Sequence, residues 1–293
     1  MKNYSESNPE ILNEIKSTEH TGDTIATDRF LQEDLSMLRK LRLPCMAQTL
    51  SELCGEKNFL NLGLLEQIHV LLSSEITSRA NSGYHRRLKQ ADLVSAATSE
   101  VIRERLKDYG LTSSVFEYLM SSQWVKEGKE IIIVGKSGLG KTELASAMVD
   151  AACRNGLKAK RYDYSLKIFE LTECYMHGGS MESYHQTLLE MSSHQVVMFD
   201  DVCLGVNRAG EAAVFKDMLC ELREHCRCGV ILVSQKLPDE WHRFLGGGKS
   251  ADAVVDRVLN RSYLIKLDGE SYRACSPEEL NQPEDKGHGK AQN

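Results

Sequence analysis

The chain has 293 residues, a formal net charge of −6 at neutral pH, and 41% hydrophobic and 27% charged side chains. That balance is globular, with enough length for one large core or two smaller ones. No stretch reaches the ~18 consecutive apolar residues of a membrane span. The first residues lack a secretory pattern, and nine cysteines scattered from Cys45 to Cys275 do not form a disulfide framework, so the cytosol is the expected compartment.

Residues 1–36 carry three basic and eight acidic side chains and read as a disordered or weakly helical acidic leader. A small all-helical domain is expected over residues 37–110. Pro44 suits the first turn of a helix with Met46, Leu50 and Leu53 on one face. A second helix carries Leu65, Ile68, Leu72 and Ile76, Arg86-Arg87-Leu88-Lys89 falls on a third, and Thr98 caps a fourth holding Val101 and Leu106. Residues 37–89 hold eight basic against four acidic side chains, with clusters at Arg39, Lys40 and Arg42 and at Arg86, Arg87 and Lys89. A solvated helix face and a contact surface for DNA phosphates are the two readings these clusters allow. For Tyr84, beside the second cluster, packing in a core is expected over stacking on a base.

A second, larger domain is expected over residues 111–275, where strands alternate with helices. Strand candidates are Ile131–Val134, Lys158–Tyr162, Val196–Phe199, Val230–Val233 and Tyr263–Leu267. Helical runs lie between them at Thr142–Asn155, Ser165–Met176, Met181–Met191, Ala212–Arg227 and Ala251–Leu259, with Gly178-Gly179 as a break. Five short apolar strands separated by helices predict an α/β fold, a parallel sheet covered on both faces. Residues 276–293, polar and with Pro277 and Pro283, read as a disordered tail.

Directly behind Ile131–Val134 stands Gly135-Lys136-Ser137-Gly138-Leu139-Gly140-Lys141-Thr142, followed by a helix-forming run. This is G-x-x-x-x-G-K-[ST] in the context it requires. Its glycines let backbone N–H groups turn toward a phosphate chain at a helix N-terminus. Lys141 would reach the β- and γ-phosphates, and the Thr142 hydroxyl would ligate Mg²⁺. The chain is therefore expected to bind a nucleoside triphosphate.

The second anchor is Val196-Val197-Met198-Phe199-Asp200-Asp201. A carboxylate at the end of a strand near the phosphate loop holds Mg²⁺, the place of Asp200; the next can orient and deprotonate the attacking water, the job expected of Asp201. The alternative for Asp201 is a helix cap. Gln235, ending the Val230–Val233 strand, suits contact with a γ-phosphate or its water, or is a plain strand-to-loop residue. Arg257 and Arg273 read either as surface arginines or as groups that neutralise transition-state charge at a neighbouring subunit's γ-phosphate. Cys220, Cys226 and Cys228 near His225 lack paired zinc spacing and read as reduced structural thiols.

These segments, taken in order, resemble the IstB/DnaC-like AAA+ ATPases, and most closely the IstB transposition helpers. Leu41-Arg42-Leu43-Pro44-Cys45-Met46-Ala47 is similar to the family's L-x-L-P-x-M-A opening. The phosphate loop, Asp200-Asp201, and Val233-Ser234-Gln235 with Glu240-Trp241 follow in family order. Val254-Val255-Asp256-Arg257-Val258-Leu259 and Gly269-Glu270-Ser271-Tyr272-Arg273 look like its closing D-R-L and G-x-S-Y-R segments. The resemblance implies an AAA+ core in which the Gln235 strand separates the phosphate-loop and Asp200 strands. It implies ATP and Mg²⁺, ATP-dependent homo-oligomeric assembly on duplex DNA, and a cognate transposase as partner. Arg257 would be the finger supplied to a neighbour and Arg273 the second sensor arginine. Asp201 stands where relatives often have Glu, and Gln235 where many have Asn. A replicative helicase loader of the DnaC kind and a nucleotide-gated scaffold with little hydrolysis are the alternatives.

Overall fold

The computed structural model describes residues 24–176, 180–205, 208–225, 227–260 and 262–268. Calls on the leader before residue 24, on Gly178-Gly179, on Cys226, on Arg273 and on the tail fall outside them. The chain divides into two compact units, Met1–Ser82 and Gly83–Asn293.

In the first unit, α1 (Thr24–Lys40) precedes α2 (Pro44–Leu53) and the single turn α3 (Lys57–Leu60). Residues 24–36, read as part of the acidic leader, are thus helical. Pro44 sits in the first turn of α2 as expected, because a residue with no N–H loses nothing there. The cap of α2 comes from elsewhere in the unit. Glu75 is buried, and its Oε2 accepts hydrogen bonds from the N–H groups of Cys45 at 2.9 Å and Met46 at 3.0 Å. Arg79 donates to the other oxygen at 2.8 Å and also to the Arg42 carbonyl. The Leu-Pro-Cys-Met segment is therefore held by a carboxylate some thirty residues downstream.

The Met46 N–H bond holds the Glu75 carboxyl below its usual range; burial pushes the other way, and Arg79 adds to the lowering. A native pKa below the unfolded one gives stabilisation that is full above the unfolded value, roughly 4.3. It is lost as pH falls through the native value. Glu75→Gln should therefore lower the thermal midpoint at neutral pH, and its gap from wild type should narrow as pH falls below the unfolded value. Circular-dichroism melts across that range check this; a gap that ignores pH would remove the role.

Two helices expected across residues 65–89 are one, α4 (Leu64–Ala91, 28 residues), whose inner part belongs to the first unit and whose end belongs to the second. The polar run Thr77–Gly83 interrupts the apolar periodicity without a proline to interrupt the helix. Leu65, Ile68, Leu72 and Ile76 do share one face, but that face is exposed; Leu71, Glu75 and, at the helix end, Ala91 are buried instead. Arg86, Arg87 and Lys89, expected with the helical domain at 37–110, lie in the sheet-bearing unit, whereas Arg39, Lys40 and Arg42 lie in the other.

After the end of α4, the second unit continues with α5 (Ser99–Glu104), α6 (Ser113–Met120) and the short α7 (Gln123–Lys126). Thr98 is the N-cap residue of α5 but its side chain makes no capping bond, and Leu106 falls beyond the helix end. There follow β1 (Glu130–Val134), α8 (Lys141–Arg154), β2 (Ala159–Asp163), α9 (Tyr164–Met176), α10 (Met181–Ser192) and β3 (Val196–Asp200). The chain continues through α11 (Glu211–Cys220), β4 (Gly229–Ser234), α12 (Pro238–Phe244), α13 (Gly248–Leu259) and β5 (Ser262–Lys266). The helix expected to run to Arg227 stops at Cys220 and passes into a π-turn, Glu221–His225.

All ladders are parallel, and the strand order is β2-β3-β4-β1-β5. Period-two alternation sorts the apolar strands into two cores. Ile131, Ile133, Met198, Ile231 and Val233 pack with α5 to α8 on one face. Ile132, Val134, Phe199, Val230 and Leu232 pack with α9, α10, α11 and α13 on the other. Tyr84 joins the first core at its margin, as expected of it. Among the described residues no helix is long and apolar enough to cross a membrane.

Candidate nucleotide-binding site

The carboxyl ends of parallel strands are where the chain turns into its connecting segments, and crevices open at that edge. Residues 135–140 bridge from the end of β1 to Lys141, the first residue of α8. Two of the glycines have evident physical reasons. A Cβ on Gly135 would stand 2.6 Å from the Leu267 carbonyl oxygen, because the chain after β5 crosses directly over it and Leu267 N–H bonds the Val134 carbonyl at 2.8 Å. Gly140 has φ +78°, and a Cβ there would meet the Tyr109 hydroxyl at 2.5 Å. Lys141 is buried, and its ammonium arches back over the loop to donate to the Lys136 carbonyl at 2.7 Å.

Asp200 is buried at the end of β3, one strand beyond β4 from the loop. Its Oδ1 accepts from the Thr142 hydroxyl at 3.1 Å, joining residues 58 apart in sequence. Its Oδ2 accepts from Arg161 at 3.0 Å. Arg161 lies on β2, opposite Met198 and two residues before Asp163, the register partner of Asp200. Since 161, 163, 198 and 200 share a face by the two-residue pleat, the arginine reaches Asp200 diagonally. Sequence reasoning missed Arg161, whose only signal is this cross-strand register.

Asp201 leaves the strand with φ +55°, a left-handed conformation that Asp and Asn tolerate better than other side-chain-bearing residues. The following peptide is tied to β4: Val202 N–H bonds the Val233 carbonyl at 2.8 Å, and the buried Ser234 hydroxyl donates to the Val202 carbonyl at 2.7 Å. Gln235 Nε2 donates to Asp201 Oδ1 at 3.4 Å. Ser137, Gly138, Gly140, Lys141 and Thr142 line a cavity of about 290 Å³ together with Glu143, Asp201 and Gln235. Lys136 and Leu139 line an adjoining cavity that shares Gln235.

Glu143 was not foreseen at the cavity. Its Oε2 accepts from the Tyr109 hydroxyl at 3.0 Å and from Arg105 at 3.3 Å, so a cation and a phenol hold this acid beside the loop. Arg257 is half-buried in the last turn of α13. Among the described residues, none of α13 lines either cavity.

A G-x-x-x-x-G-K-T loop after one strand, a buried carboxylate on the strand beyond its neighbour, and a polar residue on the strand between them define a P-loop nucleotide-binding protein with an AAA+-type core. The chain belongs to the family described as IstB-like ATP binding protein, whose model matches residues 36–279. It is 28% identical over 236 residues to an assigned ATP-binding protein in an insertion sequence of Mycobacterium tuberculosis, covering 80% of this chain and 92% of that one. It is also 28% identical over 240 residues to an assigned insertion-sequence IS21 ATP-binding protein of Pseudomonas aeruginosa, covering 82% and 86%. Among solved structures, the DnaC helicase loader aligns with a TM-score of 0.44 at 18% identity, covering 53% of this chain and 89% of that one.

Proposed function

We propose that this protein is an ATP-hydrolysing transposition helper that assembles with copies of itself on duplex DNA and recruits or activates a cognate transposase. The observation that carries the nucleotide chemistry is the Thr142–Asp200 hydrogen bond, which brings a loop hydroxyl and a strand-end carboxylate to one point. Both are hard oxygen donors, the kind Mg²⁺ takes alongside phosphate and water. Bound there, Mg²⁺ would neutralise charge on the phosphates. Lys141 binds the β- and γ-phosphates as a point charge. Asp201 orients the attacking water and takes its proton as the new P–O bond forms; the γ-phosphorus bond to the bridging oxygen breaks, leaving ADP and phosphate. Gln235, bonded to Asp201, steadies that carboxylate or touches the γ-phosphate itself.

Arg257 lines neither loop cavity among the described residues, which suits a group supplied to a neighbour's site. Arg273 takes the second sensor position by motif. Arg39, Lys40 and Arg42 on one unit, with Arg86, Arg87 and Lys89 on the other, give the DNA its phosphate contacts. The transposase reading rests on the family and on relatives whose names place them in insertion sequences.

One experiment tests hydrolysis and assembly together. Arg257→Ala and Lys141→Ala subunits should each be inactive, and mixing them with ATP and duplex DNA should restore part of the phosphate release. One interface in the mixture pairs an intact loop with an intact arginine. No recovery at any mixing ratio, with both variants folded, would overturn the trans assignment. Wild type that releases no phosphate with or without DNA would reduce the protein to a nucleotide-gated scaffold.

A further inference from the structure

The edge of the sheet opposite the phosphate loop carries a second polar cavity of about 890 Å³. Arg86, Arg87 and Lys89 reach it from the last turns of α4, and Lys158 and Lys160 from the start of β2. His194 lines it from the turn before β3. Five permanent cations thus face two carboxylates, Asp92 and Glu190, and Asp92 is already paired with Lys160 at 3.3 Å. Arg86, Lys89 and Lys158 are exposed. Arg87 is partly committed, since its Nε donates to the Cys153 carbonyl at 2.9 Å near the end of α8.

The shape and lining select among ligands. Small-molecule pockets are mostly apolar with a few placed polar groups; here Ala159 is the apolar side chain among the thirteen lining residues. An open trough with cations from two separate elements, a helix end and a strand start, suits a chain of regularly spaced anions. The parallel strands fix its place. The groove lies where β2 and β3 begin, and the phosphate loop lies where β1 ends, about 16 Å apart along a five-residue strand. Helix α8 spans the interval, starting at Lys141 and ending beside Gly156 of the groove.

We propose that this groove holds the phosphodiester backbone of duplex DNA, with Lys158 and Lys160 on the sheet edge as contacts that extend the Arg86, Arg87 and Lys89 cluster. It rests on the reading of the protein as one that assembles on DNA, and it places part of that surface on the ATPase core, on the side away from the nucleotide. Phosphate contacts of this kind position the duplex without reading bases.

The test measures binding of a labelled duplex by the full chain with ATP, as a function of salt. It compares wild type, Lys158→Gln with Lys160→Gln, and a control with Lys107→Gln and Lys126→Gln, which removes equal charge outside the groove. The groove variant should bind about tenfold or more weakly, on unrelated sequences alike, with a log–log salt slope shallower by up to ~1.8 for two lost contacts. Nucleotide affinity should be unchanged, and the control should follow wild type. Wild type that binds DNA with a steep slope, next to a groove variant with superimposable curves, would overturn the groove and leave the function standing. Equal losses in groove variant and control would also overturn it. Failure of wild type itself to bind duplex would sink both readings. Inorganic tripolyphosphate that displaces the duplex at equal phosphate concentration would assign the groove to a small polyanion instead.

Discussion

Lys141→Ala is expected to abolish useful ATP binding while leaving the fold intact. The ammonium is buried over its own loop, bonded to the Lys136 carbonyl, so it already stands among the residues where the phosphates are to lie. No other described side chain that lines the 290 Å³ cavity is a cation. Truncating one partner of a desolvated charge pair costs about 2–5 kcal/mol, or roughly thirtyfold to several thousandfold in Kd. Titration with a fluorescent ATP analogue measures it directly. A Kd within about threefold of wild type would mean that the backbone of the loop alone holds the nucleotide.

Asp201→Asn is the second large effect, and it should separate binding from turnover. Asparagine shares the tolerance of aspartate for left-handed backbone, so the substitution changes acid to amide without disturbing the φ +55° turn. ATP affinity should stay near wild type. Phosphate release should fall by ~10²–10⁴-fold, the usual loss when a general base is removed. The assay is single-turnover phosphate release beside the same nucleotide titration. Parental release by the variant would show that Asp201 serves only the turn that follows β3.

The parts of this molecule that could be read from residues alone are those whose signal is local. β1, β3 and β4 are short apolar runs, and all five strands lie within about a residue or two of where the sequence predicts them. The phosphate loop and Asp200 are legible because the spacing itself encodes the geometry. Arg161 was not, since its meeting with Asp200 depends on which strand lies beside β3, and 39 residues separate them. Tyr109 and Arg105 escaped for the same reason: they reach Glu143 and Gly140 from a segment ahead of β1. Glu75 carries no local signal of its role, because only the fold sets it under the start of α2. The run from Thr77 to Gly83 misled differently. A lapse in periodicity reports what the helix faces, and α4 continues through it.

The short connection after β3 bears on the entropy of turnover. Asp200 ends a fully buried strand, and Val202 is bonded through both its N–H and its carbonyl to the end of β4. Asp201, between them, has little backbone freedom left to lose. Fixing one residue in a single φ/ψ well costs roughly 1–2 kcal/mol, and here that ordering is completed when the sheet forms. In the proposed hydrolysis, a carboxylate held in this way would meet its water without a further search of backbone conformations, leaving the activation entropy to the water and to the arginine proposed to come from a neighbour.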